Sequence, residues 1–253
     1  MTGRLTVVGL GPGDPGLTAP AVSAALGEAQ DLIGYIPYLA RVPEQPGQER
    51  HASDNRVELD RADHALSLAA EGRRVCVVSS GDPGVFAMAA AVFEAVERGP
   101  EAWRSLDIQV LPGISAMQAA AARLGAPLGH DFCALSLSDN LKPWPLVERR
   151  LRAAAEAGFV VSLYNPASKA RPWQLGRAFE ILREILPAAT PLIFATAVTD
   201  GRERIDVTTL AEADPARADM RTLVMIGSAE TRLIARPEGR LPWVYSPRRT
   251  AAS

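Results

Sequence analysis

Val7-Val8-Gly9-Leu10-Gly11-Pro12-Gly13-Asp14 lies near the start of the chain, directly behind a short apolar run, and reads as a β-strand ending in a ligand-binding turn. A second such end follows where Val75-Cys76-Val77-Val78 runs into Ser79-Ser80-Gly81-Asp82-Pro83-Gly84, and a third at Leu111-Pro112-Gly113-Ile114-Ser115-Ala116. Glycine and proline at these points release the backbone from the extended conformation and let it approach a ligand closely. Three strand ends therefore carry turns of one kind.

Working outward, apolar runs at 5–10, 75–78, 108–111, 132–137, 159–163, 192–195 and 222–226 have the length and bulk of buried strands. They alternate with Ala/Leu-rich stretches of helical period, which predicts an α/β fold. A first helix is expected over 18–29, with Thr18 as N-cap and Pro20 in its first turn. A short second strand is expected at 31–34, followed by Tyr35-Ile36-Pro37-Tyr38-Leu39 and an exposed loop over 41–55. Helices are expected over 58–70, with Gly72 closing it, from Pro83 to 97, over 146–157 and over 173–186. Residues 203–206 read as an exposed strand, and the tail from Arg236 onward as a segment without a core of its own. The run Leu124-Gly125-Ala126-Pro127-Leu128-Gly129-His130-Asp131 breaks the pattern and sets an expected domain boundary, giving 1–125 and 126–253.

The 253 residues are 47% hydrophobic, enough for ordinary buried cores. Lys and Arg total 27 against 29 Asp and Glu, so the chain has no general attraction for nucleic acid or anionic membrane. Cys76 and Cys133 each sit in an apolar run, as buried thiols do, and no metal-ligand spacing occurs. No signal-peptide pattern and no apolar run approaching ~20 residues are present, which predicts a cytoplasmic protein.

The first turn departs from a dinucleotide fingerprint, which needs Gly-x-Gly-x-x-Gly, because its sixth position is Asp14, a carboxylate that would repel a pyrophosphate. The acid expected at the end of the second strand is also missing, and no Gly-Lys-Ser/Thr follows, which excludes a P-loop. Asp14 and Asp82 either cap helix N-termini or face an amine, a cationic centre or ribose hydroxyls.

These residues resemble the tetrapyrrole (corrin and sirohaem) methyltransferases over nearly the whole chain. Gly9-x-Gly11-Pro12-Gly13-Asp14 is similar to the family's opening motif. Gly81-Asp82-Pro83 with Val85-Phe86 resembles its second motif, and Pro112-Gly113-Ile114-Ser115-Ala116 its third. Tyr35 to Leu39, Ser79 to Met88, Leu135-Ser136-Leu137-Ser138-Asp139 with Pro143-Trp144, and Leu163-Tyr164-Asn165-Pro166 look most like members that methylate precorrin-3B at carbon 17. The resemblance implies two α/β domains with an S-adenosyl-L-methionine cleft between them, and methylation coupled to ring contraction to precorrin-4. It further implies a homodimer. An anaerobic counterpart acting on cobalt-factor III shares the core motifs, and RNA ribose methyltransferases share the cofactor turns. The near-neutral charge balance and the 35–39 and 138–139 signatures argue against an RNA substrate. Sirohaem-forming relatives carry an Asp after the Tyr of the second-strand motif; Ile36 stands there in this chain.

By the same resemblance the cofactor pocket comprises Pro12, Gly81, Asp82, Val85, Ser115, Ala116, Tyr164, Asn165 and Ala197. Ring contraction calls for acid/base groups, for which Asp14, Tyr35 and Asp139 are the candidates, with His51, His64 and His130 behind them. The substrate's carboxylates suit Arg50, Arg56, Lys142, Lys169 and Arg171. Tyr38 and Trp144, with Tyr35, suit its flat face.

Overall fold

The computed structural model describes residues 3–54, 57–168 and 170–249. The chain divides into two compact units, Met1–Ser115 and Ala116–Ser253.

The first unit is a five-stranded parallel sheet of order β3-β2-β4-β1-β5, built from β1 (Arg4–Gly9), β2 (Asp31–Tyr35), β3 (Glu49–Ser53), β4 (Arg74–Ser79) and β5 (Asp107–Leu111). Its central strands are apolar on both faces because both faces are covered. Leu5 and Val7 of β1, with Val75 and Val77 of β4, pack against α3 (Glu58–Ala70) and α4 (Met88–Arg98). Val8 and Leu10, with Cys76 and Val78, pack on the other face against α1 (Pro20–Glu28) and α2 (Ile36–Leu39). The helices that follow the adjacent strands β1 and β4 thus lie on opposite faces, which makes the carboxyl ends of these strands a topological switch point. Open α/β sheets bind ligands at such points.

Three expectations are corrected in this unit. The first helix starts at Pro20 with Ala19 as its cap; the Thr18 hydroxyl instead donates to the Leu10 carbonyl at 3.2 Å. The 41–55 segment contains the edge strand β3 among its described residues, unseen because Glu49-Arg50-His51-Ala52-Ser53 has no apolar run. The helix expected from Pro83 begins only at Met88, since Phe86 takes a left-handed φ of 54° that a helix cannot include.

The second unit carries a five-stranded mixed sheet of order β10-β9-β11-β8-β7. Its strands are β7 (Phe132–Ser136), β8 (Val160–Tyr164), β9 (Pro191–Thr196), β10 (Arg204–Thr209) and β11 (Thr222–Ile226). Only β7 and β8 are parallel; β11 runs antiparallel to both β8 and β9. Strands β7, β8 and β9 therefore all end at one edge. The helices α6 (Trp144–Glu156) and α7 (Gln174–Arg183) pack on this sheet through Val147, Leu151, Leu175, Phe179 and Leu182.

A three-stranded sheet joins β12 (Arg232–Ile234), β13 (Trp243–Tyr245) and β6 (Gly125–Ala126). It overturns the reading of the tail as coreless, because Val244 is fully buried and the Ser246 hydroxyl donates to the Pro127 carbonyl at 2.7 Å. Helix α5 (Ala116–Leu124) packs on β11, β6 and β13, so the units divide between Ser115 and Ala116 rather than at the expected 125/126.

Candidate functional site

At the carboxyl edge of the first sheet the three glycine turns come into direct contact. Gly11 and Gly81 exchange main-chain hydrogen bonds, Gly11 N to Gly81 O at 3.2 Å and Gly81 N to Gly11 O at 2.9 Å. Both have left-handed φ, 69° and 61°. A Cβ on Gly9 would lie 2.5 Å from Gly81 O and 2.8 Å from Gly113 N; one on Gly113 would lie 2.7 Å from Gly9 O and closer still to Gly81 O. No side chain fits where these three backbones meet, so glycine is required for steric reasons as well as for conformation. The result is a main-chain cradle at the switch point, the kind of surface that lets peptide groups approach a ligand without side chains intervening.

Of the two readings left open for the acids at this edge, the structure shows the local one, in which each accepts from main-chain N–H groups. Both oxygens of Asp82 accept main-chain hydrogen bonds, Oδ1 from Gly84 N at 2.8 Å and Oδ2 from Gly113 N at 3.1 Å. Asp82 therefore ties the second turn to the third. Asp14, exposed, is the N-cap of the short 3-10 turn Pro15–Leu17, with Oδ1 accepting from Gly16 N at 2.8 Å. Pro12 is half-buried in the first turn, Val85 half-buried in the second, and Ser115 buried at the end of the third. Tyr35 and Tyr38, at the end of β2 and in α2, meet edge to face with ring centroids 5.2 Å apart. Burial pushes the Tyr38 phenol above its ordinary range. Among the described residues, neither side chain hydrogen-bonds to the glycine cradle.

Two arginines hold this edge together. Arg41 donates to Ser80 Oγ at 3.0 Å and to the carbonyls of Leu10 and Gly11 at 3.0 and 3.1 Å. Arg50, expected to meet substrate carboxylates, instead spends its guanidinium on the carbonyls of Leu39, Val42 and Pro43 at 3.1, 2.9 and 2.6 Å. It braces the segment behind α2. Arg56 and Lys169 lie outside the described residues.

In the second unit the ends of β7, β8 and β9 bring together Ser136, Tyr164, Asn165 and Ala197. Asn165 Nδ2 donates to Ser136 Oγ at 2.9 Å, and Met117 N, beside Ala116 at the start of α5, donates to the Tyr164 hydroxyl at 3.2 Å. Asn165, Ala197 and Thr199 all have left-handed φ, 53°, 50° and 71°. Such strain in residues other than glycine costs about 1–3 kcal/mol each and clusters at ligand sites. Asp139 is held below the ordinary carboxylate range chiefly by the hydrogen bond from Arg171, 3.1 Å away, with Gln174 adding a weaker contact. It is an ion-pair partner at neutral pH, a state that suits accepting a proton rather than donating one. Trp144, partly buried, packs against the core, donates from Nε1 to Glu148 Oε1 at 2.8 Å and meets Trp173 edge to face. Lys142 is half-buried, and that burial pulls its ammonium pKa down.

Asp31, Glu49, His51 and Arg73 cluster at the opposite, amino edge of the first sheet. Asp31 is fully buried and accepts from Arg73, whose Nη2 is 2.8 Å from Oδ1, and contacts His51 Nε2 at 2.9 Å. Glu49 completes a set of ligand atoms within 4.8 Å of one another that could chelate a metal ion. Arg73 already engages both Asp31 oxygens, so the cluster is built as an ion-pair network. His64 packs edge to face on His51 at 4.7 Å, which takes both histidines away from the cradle. Both cysteines are free; burial pushes the Cys76 thiol up to about 12, and Cys133 is also raised by burial.

Comparison with known proteins agrees with this geometry. Residues 4–214 match the model of the Tetrapyrrole (Corrin/Porphyrin) Methylases. The chain is 60% identical over 248 residues to a precorrin-3B C(17)-methyltransferase from Sinorhizobium sp, covering 98% of this chain and 97% of that one. Among solved structures, the methyltransferase CobJ superposes with a TM-score of 0.92 at 57% identity, over 97% of this chain and 100% of that one. A uroporphyrin-III C-methyl transferase from Thermus thermophilus, complexed with S-adenyl homocysteine, shares the fold at a TM-score of 0.63 and 22% identity, over 89% and 92% of the two chains.

Proposed function

The chain belongs to the tetrapyrrole (corrin/porphyrin) methylases, and from that premise we propose that it methylates precorrin-3B at carbon 17. The methyl donor in this reading is S-adenosyl-L-methionine, and the methylation is coupled to contraction of the macrocycle to precorrin-4. The observation that carries the reading is the 60% identity to a precorrin-3B C(17)-methyltransferase across essentially both full chains. The cradle at the switch point is compatible with the donor: its surface is peptide groups, it has no lysine for a triphosphate, and its three turns pack so closely that a Cβ at Gly9 or Gly113 would force them apart.

When bound, S-adenosyl-L-methionine supplies an electrophilic methyl group, whose bond to sulfur breaks as a bond to the ring carbon forms and the electron pair passes to sulfur. The chain's own task is alignment. Holding reactants in a near-attack geometry is worth about 7–11 kcal/mol, so no nucleophilic side chain is needed. By the family resemblance, the residues that would hold the donor are Pro12, Gly81, Val85, Ser115, Ala116, Tyr164, Asn165 and Ala197. Asp82 serves by fixing the second turn against the third. Asp14, Tyr35 and Asp139, the last paired with Arg171, are the acid/base groups proposed for ring contraction. A homodimer is part of the proposal, as the family resemblance implies. No helix among the described residues is long and apolar enough to cross a membrane.

Incubation of the purified protein with precorrin-3B and methyl-labelled S-adenosylmethionine tests the proposal, read by mass and NMR of the macrocycle. Label at carbon 17 with a contracted ring is expected. Transfer only to cobalt-factor III in a parallel incubation would move the assignment to the cobalt-containing substrate, and no transfer to either would sink it.

A further inference from the structure

Arg41 carries no motif signal and stands in the sequence as the first residue of a polar loop. In the structure it directly follows α2 and its C-cap Ala40, and its guanidinium reaches two of the three glycine turns at once. Nη2 donates to the Leu10 and Gly11 carbonyls of the first turn, and Nη1 to the Ser80 hydroxyl of the second. Leu10 and Gly11 are where the chain leaves β1; their carbonyls accept from the Thr18 hydroxyl and from Gly81 N, and Arg41 gives each a second donor. The planar fork of arginine can serve acceptors on both turns in one rigid geometry, which a lysine ammonium cannot. The same residue ends the Tyr35–Leu39 segment, whose following carbonyls Arg50 braces from β3.

We infer that Arg41 is a positioning residue for the methyl donor, fixing the first turn against the second through their main chains. The inference rests on the proposal that the glycine cradle binds S-adenosylmethionine. Because Arg41 follows the Tyr35–Leu39 segment closely in the chain, the same hydrogen bonds link that segment to the cradle.

Calorimetric titration of the full chain with S-adenosylhomocysteine tests this. Arg41→Ala is expected to bind ~10-fold or more weakly, the size of one or two charge-assisted hydrogen bonds. Arg41→Lys is expected to recover only part of that affinity. Millimolar methylguanidinium added to Arg41→Ala is expected to restore binding while leaving the wild type unchanged, a response that a general loss of folding does not give. Affinity within twofold of wild type in Arg41→Ala, or a loss that methylguanidinium does not reverse, overturns the assignment. Should Arg41→Ala fail to fold, wild-type affinity in Arg41→Lys overturns it instead. A wild-type chain that does not bind S-adenosylhomocysteine brings down the cofactor reading itself, and a wild type that binds confines any failure to Arg41.

Discussion

Asp31 is a carboxylate with no exposed surface, and its environment sets its charge. Burial is the largest single influence and raises its pKa, yet the hydrogen bonds from Arg73 and His51 together outweigh it and leave the group below its ordinary value of 3.8. A carboxylate with a depressed folded-state pKa contributes stability that is present above the unfolded pKa and is lost as pH falls through the folded one. Asp31→Asn is therefore expected to cost about 2 kcal/mol at neutral pH, the scale of a hydrogen bond to a charged group. The gap to wild type should close progressively below pH 3.8. Denaturant unfolding at pH 7 and at successive acid pH values measures it, and a gap that stays constant would contradict the assignment. Nothing in the local sequence marks Asp31 as special. Its partners His51 and Arg73 lie on other elements, as do those of Arg41 and Arg50, and a long flexible cation chooses acceptors by proximity in space. The glycine positions were legible for the opposite reason: their constraint is written in the backbone of the same few residues.

At the scale of elements, the turns after β1, β4 and β5 behave as one part. Gly113 is the test of that, because its neighbours are main-chain atoms that cannot swing aside. Gly113→Ala is expected to destabilise the first unit by about 1–3 kcal/mol, as overpacking does. It should also abolish S-adenosylhomocysteine binding measured by calorimetry in the protein that remains folded. Wild-type affinity in a folded Gly113→Ala protein would show that the third turn stands apart from the other two. Strands β1 and β4 were readable because they are central and buried on both faces beyond their leading arginines, and β5, at the sheet edge, because it keeps Ile108, Val110 and Leu111. Strand β3 was not, since an edge strand needs no such run and its Arg50 and His51 serve neighbouring segments. The late start of α4 was equally hidden. Pro83 is a good helix opener in isolation, and only the Asp82 bonds to Gly84 and Gly113 show that the chain is still engaged in the turn.

For the molecule as a whole, the alternation of strand and helix foretold α/β organisation and the family resemblance foretold the methylase fold, while the antiparallel strands of the second unit left no trace in that alternation. Apolar strands of the same length serve either direction, and only pairing distinguishes them. The end of the first unit was misplaced because Gly125 and Pro127 look like a linker, whereas Gly125 and Ala126 are a strand and α5 ahead of them is buried through Ala119, Ala120, Ala121 and Leu124. A fragment of residues 116–253 should accordingly be more stable than one of 126–253. Leu124 alone accounts for about 1.5–3 kcal/mol of burial, and thermal unfolding of the two fragments compares them; equal stability would place α5 with the first unit.

In the parallel first sheet every strand points the same way, so the cradle and the Asp31 network occupy opposite rims of one slab. Contributions from sites without shared partners add. A ligand held at one rim at a hundred times its dissociation constant stabilises the fold by about 2.7 kcal/mol, and protonation at the other rim has no lever on that figure. At a fixed pH and matched saturation, the thermal protection given by S-adenosylhomocysteine should then be the same in wild type and in Asp31→Asn. The slab has two separate dials, one turned by acid and one by ligand, and an organism living at low pH could reset the first without retuning the second.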